Sequence, residues 1–147
     1  GMSGAPLEQI GEDYKYAELM IKLPAEWKIS KELLTNPEYN WAMKILRKSA
    51  YSPHLENFKI EEGAIIPFGK EGEPPTTFTP NTKLSSVLLI RSKELQEIKY
   101  SINTMTYYTL VPISAEEEKL VKEIGTEKFM EMLDSKDVVD LNRKLLV

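Results

Sequence analysis

Residues Tyr16–Trp27 read YAELMIKLPAEW. Apolar and polar side chains alternate along the stretch. Ala17, Leu19, Ile21 and Leu23 point one way, and Tyr16, Glu18, Met20 and Lys22 point the other. A period of two is that of a β-strand with one drier face. Pro24 cannot donate to a ladder, so the strand is expected to end there. Glu18 stands among apolar residues, and the alternation puts it on the wetter face. A strand with a dry face needs a sheet around it and a layer to cover it.

The rest of the chain supplies both. The segment 86–92, SVLLIRS, is apolar without alternation, as expected of a central strand buried on both faces. Residues 102–114, INTMTYYTLVPIS, are β-branched and aromatic and read as another strand. A short strand is expected over Ala64–Pro67. It leads into a loop rich in glycine and proline (Gly69, Gly72, Pro74, Pro75, Pro80).

Helices are equally legible. In residues 35–51, TNPEYNWAMKILRKSAY, Asn36 is a good N-cap and Pro37 takes the first turn. Trp41, Ala42, Ile45 and Leu46 form its apolar stripe, and Ser52-Pro53 marks its expected end. Ser114 with Glu117 three residues on is a capping box. Leu120, Val121 and Ile124 form the stripe of that helix, and Gly125 stops it. Thr126 is then expected to cap a last helix that turns Phe129, Met130 and Leu133 inward. The tail DVVDLNRKLLV, 137–147, is ambiguous. The expected fold class is α+β (α/β mixed), a mixed sheet flanked by helices.

Length and composition set limits on function. The chain has 147 residues, 41% hydrophobic and 29% charged, which suits one domain with a single core. A formal charge of -4 argues against nucleic acid, whose phosphates call for a basic surface. The chain has no cysteine, which excludes disulfides, thiolate catalysis and cysteine zinc sites. No apolar run approaches the roughly 20 residues needed to span a bilayer, so no membrane partner is expected. GMSGAPLEQIG lacks the basic start and apolar stretch of a signal peptide. A cytoplasmic location is expected.

No motif carries chemistry. His54 is the single histidine, in SPHLEN, and reads as a surface or capping residue. GAIIPFGKE fails as a phosphate loop: five residues separate Gly63 from Gly69, and Glu71 follows Lys70. Glu116, Glu117 and Glu118 open a helix, where the dipole favours carboxylates. Asp134, Asp137 and Asp140 are spaced by three but lack the calcium-loop pattern. Lys44, Arg47 and Lys48 read as the solvated side of a helix. No cofactor, metal or catalytic residue is expected. A hydrolase-type enzyme with spatially assembled carboxylates is the alternative, because carboxylates pair in space.

The order of these motifs resembles the suppressor of fused domain family over nearly the whole chain. The specific pieces are GMS at Gly1 to Ser3, AEL-x-I-x-LP-x-x-W at Ala17 to Trp27, and LVP-I-x-x-x-E at Leu110 to Glu117. There are departures: Trp41-Ala42 stands where members often have Trp-Pro. Phe58 and Gly63-Ala64 stand where they show a tryptophan and Gly-His. The resemblance implies a mixed sheet with helices and a non-catalytic, protein-binding role. The animal relative restrains a Hedgehog-pathway transcription factor, partly by pairing with the partner's strand. Bacterial stand-alone members resemble immunity proteins that neutralise polymorphic toxins. In the family GMS lies inside the domain. Residues 1–147 are therefore expected to be one such domain lacking N-terminal strands, with Gly1 a tag remnant and a sheet edge open to partners or to a second copy. The implied binding region is Gly1 to Asp13, with Pro6, Leu7 and Asp13, and the strand edge with Tyr16 and Glu18. Trp27 and one of Tyr107 or Tyr108 are aromatic candidates, each equally readable as a packing residue. The two tyrosines are adjacent on a strand, so they face opposite sides and one of them is expected in the core.

Overall fold

A computed structural model describes residue 7 and residues 16–27, 30–31, 33–55, 58–70, 72–95, 98–100 and 103–147. It contains a mixed sheet with helices on both faces. The strands are β1 (Tyr16–Met20), β2 (Ile65–Pro67), β3 (Leu84–Arg91), β4 (Ile98–Tyr100) and β5 (Asn103–Ser114). The helices are α1 (Pro37–Leu55), α2 (Ala115–Ile124) and α3 (Thr126–Met132). The strand order is β1-β5-β3-β2, and β4 also pairs β5. β1 runs parallel to β5, and the other pairs are antiparallel. The α+β architecture expected from the sequence is the one observed.

β3 is central, and its first seven residues are buried. Alternate residues serve two cores. Val87 and Leu89 face α1, joining Trp41, Ile45, Leu110 and Tyr108. Leu88 and Ile90 face α2 and α3, joining Val111, Ile113, Val121 and Phe129. A strand covered on both faces has no polar side to show, which explains its continuous apolar run.

α1 begins as expected: the side-chain oxygen of Asn36 accepts the backbone N–H of Glu38 at 2.9 Å. Trp41, Ala42 and Ile45 are buried, and Trp41 stacks on Phe78 with ring centroids 4.7 Å apart. The helix does not stop at Ser52-Pro53. It continues through Pro53 to Leu55, because a proline in the last turn forgoes only one helical hydrogen bond.

Two other expectations are corrected. The β1 ladder ends at Met20, well before Pro24. The chain then bridges Lys22 to Val138 in the tail, and the Val139 N–H donates to the Lys22 carbonyl at 2.8 Å. Thr126 does not cap α3; Gly125 does, without a side-chain bond. The Gly125 N–H closes α2 on the Val121 carbonyl, and its own carbonyl opens α3 by accepting from Phe129 at 3.1 Å. Its φ of 85° suits glycine and lets one residue serve both helices.

Candidate functional site

The strand register sorts the expected binding residues by face. Laterally paired residues share a face of a sheet. Ala17 pairs Thr106 and Leu19 pairs Tyr108, on the face covered by α1. Ala17, Thr106 and Tyr108 are buried there. Burial pushes the Tyr108 phenol above its ordinary value, against a smaller opposing effect from Arg91. Leu7 is also in this core.

On the other face Tyr16 pairs Met105, Glu18 pairs Tyr107, and Met20 pairs Thr109. Ile98 of β4 extends that row, because it pairs Met105 from the opposite side. Thr109 is buried beside Ile90 at the margin of the second core. Tyr16, Glu18, Met20, Met105 and Tyr107 are half-buried, Ile98 is exposed, and none of them belongs to either core. The β1 end of this face therefore gathers two tyrosines, two methionines, an isoleucine and one carboxylate, each partly or wholly exposed. The structure brings Tyr16, Glu18 and Tyr107 together here. Pro6 and Asp13 lie outside the described residues.

Trp27 sits elsewhere, packed edge-on against Tyr39 at 5.2 Å and Trp41 at 5.9 Å. Its backbone N–H donates to the Pro24 carbonyl at 2.9 Å, so a tight turn fixes the ring at the end of α1's aromatic cluster.

The sheet's two edges differ. Among the described residues β1 pairs on one side only, with β5. β2, at the opposite edge, is three residues long and ends in Pro67. The Lys48 ammonium donates to the Pro67 carbonyl at 2.7 Å and also to the Gly69 carbonyl. A short edge strand carrying proline and a lysine is blunted against further pairing. Lys48 is thus a clamp between α1 and β2 and does not belong to a solvated basic face.

The carboxylates also separate. Sequence reasoning placed Glu117 with its neighbours as a helix-opening acid. The capping box does form: the Glu117 N–H donates to Ser114 Oγ at 3.1 Å, and the Ser114 N–H donates to Glu117 Oε2 at 3.0 Å. Yet Glu117 is wholly buried, and the tail reaches back to hold it. Arg143 donates to both its oxygens at 2.6 Å, and the Leu146 N–H donates at 3.1 Å. Arg143 also donates to the Pro112 carbonyl at 3.0 Å. Burial alone pushes the Glu117 carboxyl up. The Arg143 and backbone hydrogen bonds outweigh it and hold the group below its ordinary value. With every oxygen engaged, this carboxylate fastens the tail. Among the described residues no three of His, Asp and Glu gather as for a metal ion.

Lys22 makes a second tie to the tail. It lies 2.5 Å from Asp137 and 2.6 Å from Glu94. Burial lowers its pKa, but the hydrogen bonds it donates to these two carboxylates prevail and raise it. No helix among the described residues is long and apolar enough to cross a membrane.

A family model described as "Suppressor of fused protein (SUFU)" matches residues 1–144. Among curated proteins none matches the sequence. One similar solved structure is "the Sufu-Fu complex crystal structure", at TM-score 0.57 and 13% identity, covering 82% of this chain and 49% of that one. At that identity the likeness is one of fold, and the present chain spans about half the length of the chain it matches.

Proposed function

The chain belongs to the suppressor of fused family, and from that premise we propose that it is a non-catalytic protein-binding domain. The observation that supports this most is the β1 end of the sheet. There an edge strand and a half-buried row of Tyr16, Glu18 and Tyr107, outside both cores, lie side by side. Tyrosines in an apolar setting with one polar group suit a protein interface. The opposite edge is closed by Pro67 and Lys48. Among the described residues the β1 edge, unlike that of β2, is open for a partner strand to join. The similar solved structure is that of a complex, in keeping with a protein partner.

The partner, in this reading, is a toxin that the chain neutralises, the role that the resemblance implies for bacterial stand-alone members. The test is co-purification with the product of the neighbouring gene, followed by calorimetry. A nanomolar complex weakened by Tyr107→Ala supports the reading. A neighbouring product that forms no complex sinks the toxin assignment. Failure to recover any specific protein partner sinks the binding role itself.

A further inference from the structure

A cavity of about 670 Å³ lies between Trp27 and the tail. Pro24, Trp27, Val139 and Leu141 give it apolar walls, and Val138 stands 52% exposed among them. Three carboxylates line it: Glu26, Asp137 and Asp140. Asp137 is committed to Lys22. Glu26 and Asp140 have no cation partner among the described residues. The cation on the wall, Lys136, lies 3.8 Å from Asp134 outside the cavity. The charge balance differs from that of the cavity beside β2. There Lys48 is spent on two carbonyls and Lys122 on Glu118.

We propose that the Trp27 cavity receives a basic side chain of the protein partner, arginine or lysine, seated against the Trp27 ring between Glu26 and Asp140. The inference rests on the protein-binding reading. An aromatic ring attracts a cation through its quadrupole, and two carboxylates supply the opposite charge. The aliphatic stem of the guest lies along Val138 and Leu141. Tyr39 and Trp41 hold the ring in place, so little freedom is lost when the guest docks.

The test uses the intact chain and two blocked tripeptides, Gly-Arg-Gly and Gly-Glu-Gly, followed by two-dimensional ¹⁵N NMR. The arginine peptide shifts the Trp27 indole and the amides of residues 138–142 saturably, and the glutamate peptide does not. The double variant Glu26→Gln, Asp140→Asn weakens the arginine titration by about tenfold. It keeps the side-chain oxygen that accepts the Asn142 N–H, so its melting temperature is unchanged. No shift with the arginine peptide, equal shifts with both peptides, or a titration untouched in the double variant overturns the proposal. A silent cavity in a chain that still binds its partner overturns this inference alone. A responsive cavity in a chain without any protein partner overturns the binding reading, and with it the partner as the source of the guest.

Discussion

Glu117 is the residue on which the molecule's closure depends. Among the described residues it is the only charged side chain in the core, and Arg143 meets it with a bidentate pair. Breaking a buried pair from one side leaves a charge without its partner, so Glu117→Gln should cost about 3 kcal/mol and lower Tm by about 10 °C. Replacing both partners with apolar residues, Glu117→Leu with Arg143→Met, should recover much of that loss. Thermal melts of the two variants check it. The pH dependence follows from the direction of the shift. The folded pKa lies below the ordinary 4.5. The stabilisation is therefore complete above about pH 4.5 and is lost as pH falls through the lower folded value. Acid melts of the wild type should show this loss, and Glu117→Gln should lack that component. The sequence showed half of this arrangement. Ser114 and Glu117 are three residues apart and form a local motif. Arg143 is 26 residues away, and no spacing rule links it to Glu117.

The elements were legible where local chemistry decides them. Asn36, Ser114 and Gly125 mark helix ends because each satisfies or frees a backbone group within a turn. Ser114→Ala should therefore cost about 1 kcal/mol in denaturant melts. β4 went unseen because three residues carry too little pattern to be told from a turn. The tail was unreadable because its extended path is set by Lys22, Thr82 and Glu117, not by its own periodicity. Gly63 is another element-scale joint. Its φ is 88°, and an added Cβ would stand 2.8 Å from the hydroxyl of Thr126. Gly63→Ala should destabilise by more than about 1 kcal/mol, measured by urea unfolding. The β2 edge gives a converse test. Lys48→Ala with Pro67→Val removes both features that blunt it, and sedimentation should reveal self-association.

At the scale of the whole molecule, two cores share one sheet, and the row Tyr16, Glu18 and Met20 at its β1 end belongs to neither. The sequence indicated which strand faces water through the alternation of Tyr16, Glu18 and Met20. It did not show that Tyr107 and Met105 complete the same patch, because register comes from pairing in space. Nor did it place Tyr108 and Leu7 in the core. The central claim is that a protein partner binds at this end. Its most direct measurement is calorimetry of the intact chain against its co-purified partner, wild type beside the Tyr16→Ser, Tyr107→Ser double variant. The account predicts affinity weakened by about 30-fold or more with Tm within about 2 °C of wild type. Unchanged affinity in the double variant would contradict it.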